Sequence, residues 1–147
     1  MLCAISMLMG FAACKSKKNE EAGNQAPVYA ENSEKVNPLL VGKRWKLVEL
    51  NGKPVESTEA FLLLDGDKNT VSGNLGCNTF TGTYGLKIGN QIKFSPLAAT
   101  LKMCLNMEIE NELKKVLEIA DSYNVSEESL ILNRARMAPL AKFELYK

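Results

Sequence analysis

The chain has 147 residues, with 18 basic and 17 acidic side chains, four cysteines and no histidine. This length allows one domain of ordinary size. A formal charge of +1 lacks the basic excess that is typical of nucleic-acid-binding proteins. Without histidine there is no Ser-His-Asp triad, no Cys-His dyad and no histidine-ligated metal site. The composition therefore predicts no nucleic-acid partner, no cofactor and no enzyme of these classes.

The first 14 residues are uncharged and almost wholly apolar. They are too few to span a bilayer, which takes about 20 residues, but they match the apolar region of a secretory signal. The motif Phe11-Ala12-Ala13-Cys14 resembles a bacterial lipobox. That resemblance implies that Cys14 carries lipid chains such as palmitate and anchors the protein to a membrane. The alternative is a buried apolar helix with Cys14 as an ordinary core cysteine.

Residues 15–37 form a neutral, mostly polar segment with equal numbers of lysine and glutamate. Such a segment buries too little apolar surface to offset its chain entropy. It predicts a flexible tether that spans about 25–30 Å as a relaxed coil. The folded domain is then expected at 38–147.

Strand signals separated by turns dominate the first two-thirds of this domain. Trp45 and Leu47 alternate with Lys46, whereas Val48 and Leu50 continue on the other parity. The strands are predicted at 45–50, 60–64, 70–75, 80–84, 92–94, 129–133 and 140–146, with turns at Asn51-Gly52, Asp65-Gly66-Asp67 and Gly89-Asn90. These closely spaced turns favour antiparallel pairing.

One amphipathic helix is predicted over 106–123. Its apolar positions follow the 3.6-residue period, at Ile109, Leu113, Val116, Leu117 and Ala120. Asn106 is the expected N-cap. The acidic residues of the first turns are expected to stabilise the helix, because its N-terminus is the positive end of the helix dipole. The predicted fold is α+β, a curled antiparallel sheet, half-barrel-like, packed with this helix.

Three passages in this order resemble the META/HslJ domain family. They are Gly42-Lys43-Arg44-Trp45-Lys46-Leu47, then Ser72-Gly73 with Gly76-Cys77-Asn78 and Gly82-x-Tyr84, then Leu97-Ala98-x-Thr100-x-x-Met103-Cys104 followed by Glu108. The resemblance covers about 42–145. It implies a lipid-anchored envelope protein, in the outer membrane and facing the periplasm or the cell surface. The resemblance also implies a link to stress tolerance. It implies no enzymatic activity.

Cys77 and Cys104 are the cysteines left in the domain once Cys14 is lipidated and Cys3 is removed. In an exported protein such a pair is expected to form a disulfide. Two alternatives stay open. The cysteines are buried free thiols, or they bind Cu(I) together with two methionines, Met103 and Met107.

The motif Gly76-Cys77-Asn78 has two interpretations. Its glycine and asparagine fix a bend in the sheet, or an exposed Asn78 side chain binds a ligand. Asp65 and Asp67 are expected to form a turn rather than a catalytic carboxylate pair.

Three functions follow as hypotheses, all without catalysis. The domain binds a protein or a small molecule in stress tolerance, or it is a structural accessory in the assembly of outer-membrane proteins, or it is a Cu(I)-responsive sensor. An apolar pocket inside the sheet would favour the first hypothesis. A filled interior with an exposed apolar patch would favour the second.

Overall fold

The computed structural model describes residues 36–56, 58–135 and 138–147. The predicted export signal, Cys14 and nearly all of the predicted tether lie outside the described residues. The described part contains one helix, α1 (Glu108–Ile119), and ten strands: β1 (Arg44–Leu50), β2 (Lys53–Pro54), β3 (Phe61–Asp65), β4 (Thr70–Asn74), β5 (Thr79–Lys87), β6 (Gln91–Phe94), β7 (Ala98–Ala99), β8 (Ser122–Val125), β9 (Ser129–Arg134) and β10 (Ala138–Leu145).

Eight of these strands form a closed antiparallel barrel in the order β1-β3-β4-β5-β6-β8-β9-β10. The first and last strands close it, because β1 pairs with β10 from Trp45↔Leu145 to Leu50↔Ala141. The prediction of an antiparallel sheet with one helix is confirmed, but the half-barrel is wrong. Turn signals indicate pairing between neighbouring strands, whereas the closing pair is separated by most of the domain.

A β-bulge in β1 explains the change of parity in its sequence. The register against β10 shifts between Leu47 and Glu49. As a result Trp45, Leu47 and Leu50 are all buried. An extra residue in one strand produces such a switch of faces.

The helix is shorter than predicted at both ends. Its N-cap is Met107, and Asn106 instead accepts the N–H of Glu108 on its side-chain oxygen (3.0 Å). After Ala120 the chain is extended and enters β8, whose first two residues, Ser122 and Tyr123, fall within the predicted helix. Pairing in the barrel decides this boundary, since Tyr123 N–H donates to the Asn90 carbonyl oxygen (2.9 Å).

The barrel interior is filled with side chains, as expected for eight strands. The helix adds three buried residues, Leu113, Val116 and Leu117, to the same core. It lies where β1 ends, because the Asn51 side-chain amide donates to Glu112 Oε2 (3.1 Å). The largest fully buried side chains are Trp45, Phe143, Leu40, Leu47, Leu62, Leu64, Leu75, Leu113, Leu117, Leu130, Leu132 and Val71.

The N-terminal chain enters at the opposite end of the barrel. Trp45 Nε1 donates to the Leu40 carbonyl oxygen (2.9 Å), and Leu40 is fully buried. The side chains of Val36 and Val41 lie against Gly66, in the turn between β3 and β4. This entry point and the β4–β5 turn are therefore separated by the length of β4, roughly 14 Å.

Burial raises the pKa of the Tyr84 phenol to about 12, and the charge of Asp65 adds to this effect. The phenol donates to the Asp65 carbonyl oxygen (3.2 Å). An unfolded tyrosine titrates at about pH 10, so the unfolded state loses this proton first as pH rises. The raised pKa therefore contributes stability that is complete below about pH 10 and is lost toward pH 12.

We expect a Tyr84→Phe variant to lose less stability than the unsubstituted protein as pH rises through this window. Denaturant unfolding of both proteins at matched pH values measures the difference and cancels the contribution of other groups. Parallel stability curves for the two proteins would contradict this assignment.

Candidate functional site

Gly76, Cys77 and Asn78 form the turn between β4 and β5, at the helix end of the barrel. Gly76 has a φ of +127°, a conformation that favours glycine. Its N–H donates to Asn74 Oδ1 (2.6 Å), and the Asn78 carbonyl oxygen accepts the N–H of Leu75 (2.8 Å). The motif thus sets a backbone bend at this end of the barrel.

The Asn78 side chain joins three separate segments and is only 1% exposed. Its Oδ1 accepts the Thr100 hydroxyl and the Lys102 N–H, both at 2.7 Å. Its Nδ2 donates to the Lys102 carbonyl oxygen (3.1 Å) and to Glu110 Oε1 (2.8 Å). Every hydrogen-bonding position of the amide is used. The alternative of an exposed Asn78 that binds a ligand is therefore wrong.

Glu110 is the residue of this site that the sequence analysis missed. Its carboxylate receives both the backbone N–H of Asn78 (2.8 Å) and the side-chain amide, and it is 8% exposed. Its position in the first turn of α1 adds the favourable helix dipole. A sequence signal existed, because Glu110 lies three residues before Leu113 and seven before Leu117, on the buried face.

A disulfide joins Cys77 to Cys104 across 27 residues, with 6.3 Å between the two Cα atoms. The bridge uses both sulfurs, so the Cu(I) alternative loses its two thiolate ligands. The two methionine sulfurs of that alternative do not share one environment either, because Met103 is fully exposed and Met107 is half-buried. In the described part of the chain, no group of three or more histidine, cysteine or acidic residues could hold a metal ion.

The segment between Thr100 and the helix carries three long apolar side chains in water. Leu101, Met103 and Leu105 are 96%, 100% and 110% exposed. We call residues 101–105 the apolar loop. Its backbone is fixed at Lys102 by Asn78 and at Cys104 by the disulfide. The three side chains are therefore presented on a tied segment rather than on a free one, which makes the apolar loop the candidate functional site.

The other predicted site residues have structural places. Trp45 belongs to the core, and Thr100 donates to Asn78 at the base of the apolar loop. Asp65 forms a turn as expected, since its Oδ1 accepts the N–H groups of Asp67 and Lys68.

The barrel offers no interior site in its described residues, because core side chains occupy it. Depressions lie on the outer wall instead. One of about 350 Å³ lies beside β1 and β10 and is lined by Lys46, Leu47, Val48, Val55, Glu144, Leu145, Tyr146 and Lys147. No described helix is long and apolar enough to cross a membrane.

These features define a small closed β-barrel domain with a helix over one end and a disulfide-tied loop. The family model of the META domain matches residues 38–146, and the chain belongs to this family. Among curated proteins, none matches this chain.

Solved structures with a similar fold are known. A protein structure determined by NMR is 26% identical over 76% of this chain and 96% of its own, with a TM-score of 0.59. An NMR structure from Burkholderia xenovorans is 22% identical over 80% of this chain and 97% of its own, with a TM-score of 0.60. A DUF4847 family protein from Bacteroides vulgatus, at 16% identity, covers 71% of this chain and 93% of its own with a TM-score of 0.53. The last two likenesses concern the fold alone.

Proposed function

We propose that this protein is a non-catalytic, lipid-anchored domain of the bacterial cell envelope that docks a partner protein through its apolar loop. The apolar loop is the observation that supports docking, since Leu101, Met103 and Leu105 are almost completely exposed on a tied backbone. An exposed cluster of large apolar side chains commonly marks an interaction surface. The proposed partner is an envelope protein, and a role in stress tolerance follows from the resemblance to the family.

The filled barrel favours a protein partner over a small molecule. Small ligands take concave, largely apolar pockets, whereas core residues such as Leu47, Leu64 and Phe143 occupy the interior here. The chemical groups at the site are also engaged. Glu110 is bonded to Asn78, and Cys77 and Cys104 are bridged. This supports the assembly-accessory hypothesis over small-molecule binding and over catalysis.

Site-specific photo-crosslinking in the native host tests the docking. A photoreactive amino acid at position 101 is expected to give an adduct of discrete mass, which Met103→Ser and Leu105→Ser together abolish. The matched control is position 88, because Ile88 is also a large exposed apolar residue (70%) but lies in the β5–β6 turn. The same adducts from both positions, or none from position 101, would contradict the proposal.

The lipid anchor has a separate test in the same cells. We expect Cys14→Ser to move the protein from the membrane pellet to the soluble fraction, because thioether lipidation requires the cysteine sulfur. Cys3→Ser is the matched control, since it changes a cysteine within the same predicted signal. Equal retention of both variants in the pellet would show that Cys14 is not the anchor.

A further inference from the structure

We infer that the apolar loop is a sheet edge to which an extended strand of the partner adds, with an acidic side chain of that strand opposite Lys102. This inference rests on the proposed function and specifies the chemistry of the partner. It is carried by three observations: the backbone geometry at Lys102, the free groups of its two neighbours, and the charge of the segment.

The hydrogen bonds of Lys102 show an extended backbone. Both its N–H and its carbonyl oxygen bond to the side-chain amide of Asn78, at 2.7 and 3.1 Å. In a β-strand the two polar groups of one residue point to the same edge, and those of the next residue point to the other. Asn78 thus takes the place of a neighbouring strand for Lys102. The polar groups of Leu101 and Met103 then face the opposite edge.

That opposite edge is free. Of the residues that the structure describes, none forms a hydrogen bond to the backbone of Leu101 or Met103. Strand addition supplies partners for such groups, and pockets for alternate side chains add specificity. The apolar loop offers the free backbone groups, and its Leu101 and Met103 side chains are fully exposed and available to pack against an incoming strand.

A bilayer is a poorer occupant than a protein strand. Backbone groups without partners are costly in hydrocarbon, and the edge at Leu101 and Met103 carries such groups.

A second copy of this chain is also a poorer occupant. Antiparallel pairing of two identical loops would join each Leu101 to the partner copy's Met103 and place the two Lys102 side chains directly opposite each other. Like charges in that position are unfavourable, and edge lysines oppose such self-pairing. Lys102 is the only charged residue between positions 95 and 107. Charge complementarity therefore calls for a carboxylate on the incoming strand.

The test uses the domain 36–147 and two synthetic peptides. This part contains the whole barrel. The relative that is 26% identical and solved by NMR matches over 96% of its own chain, so that relative folds without a further domain. The first peptide alternates valine and threonine around a central glutamate, and the second has lysine in place of the glutamate. We expect the glutamate peptide to shift the NMR amide signals of Leu101 and Met103 and to bind about fivefold more tightly than the lysine peptide.

Two variants separate strand addition from general stickiness. Lys102→Glu should reverse the preference between the peptides, because only the backbone of Lys102 bonds to Asn78. Met103→Pro removes the N–H from the free edge and should abolish binding, whereas Met103→Leu keeps that N–H and should bind. An extended Lys102 is compatible with a following proline.

The inference is overturned if the glutamate peptide leaves both amides unshifted, binds Met103→Pro unchanged, or shows no reversal with Lys102→Glu. Concentration-dependent dimerisation through the apolar loop, or cosedimentation with phosphatidylcholine–phosphatidylglycerol vesicles, would also overturn it. Crosslinking at position 101 in cells without any peptide preference would leave docking intact and reject only strand addition. Absence of that crosslinking would reject the proposed function itself.

Discussion

Replacing Asn78 with alanine is expected to lower the free energy of unfolding by about 3–5 kcal/mol. The substitution removes four side-chain hydrogen bonds, to Thr100, to both backbone groups of Lys102, and to Glu110. It also leaves the buried Glu110 carboxylate with one remaining partner, the N–H of residue 78. A buried charge that loses a partner costs more than the lost bond alone.

Urea denaturation of Asn78→Ala beside the unsubstituted domain measures this cost. Asn111→Ala is the matched control, because Asn111 is an exposed asparagine on α1 and its side chain makes no hydrogen bond in the described structure. We expect the control to stay within about 0.5 kcal/mol of the unsubstituted protein. A loss below about 1 kcal/mol for Asn78→Ala would refute its role in joining the three segments.

A double-mutant cycle locates the source of the cost. If the cost arises largely from the stranded Glu110 carboxylate, then Asn78→Ala and Glu110→Ala together should destabilise by less than the sum of the two single changes. Additive effects would instead place the cost in the bonds to Thr100 and Lys102.

Seven of the ten described strands follow from the sequence because their signals are local, whereas β2, β7 and β8 are not predicted. Alternating apolar residues and turn pairs mark β1, β3, β4, β5 and β6. In the Asn51-Gly52 and Gly89-Asn90 turns, both central residues have a positive φ, as expected for tight hairpins. The closure of the barrel is not local. It depends on pairing between Trp45 and Leu145, near the two ends of the domain, for which no short-range pattern exists.

For the helix and the site too, the sequence shows local patterns but not contacts between distant segments. A periodic apolar stripe located α1, but Ala120 continues the stripe while its backbone already leaves the helix for the barrel. The site residues Asn78 and Cys104 were found as motif members, whereas their use as fixed points for the apolar loop depends on three distant segments. The sequence places Glu110 among the acidic residues of the first helical turns and gives it only a dipole role, because helical spacing alone does not show which N–H groups a carboxylate will accept.

The structure connects these fixed points to function through preorganisation. An unconstrained loop that presents three apolar residues would lose conformational entropy on binding, and that loss weakens affinity. Here Asn78 holds the loop near Lys102, and the disulfide holds it at Cys104. The buried polar cluster therefore supports docking without touching the partner, which separates the structural role of Asn78 from the contact role of Leu101 and Met103.

Removing the disulfide is expected to lower the free energy of unfolding by about 3.5 kcal/mol in the chain-entropy account for a bridge of 27 residues. Both cysteines lie in connections outside the eight barrel strands, so the Cys77→Ala/Cys104→Ala variant should keep the barrel. Denaturant unfolding measures the loss. Hydrogen exchange of the Lys102 amide, which donates to Asn78 Oδ1 within the tied segment, should quicken more than exchange in β3.

Reduction of the unsubstituted protein provides the matched experiment. Cys104 is exposed, so added thiol can reach the bridge in the folded state and reproduce the loss, whereas the double-alanine variant should not respond to thiol. An equal response of both proteins, or a loss below about 1 kcal/mol, would contradict a stabilising bridge. Because Asn78 and the disulfide hold the same segment, Asn78→Ala should cost less in the double-alanine background than in the oxidised protein. The hydrogen bonds of Asn78 and the disulfide are then coupled restraints on the apolar loop. Loss of either one reduces the stability that the other contributes.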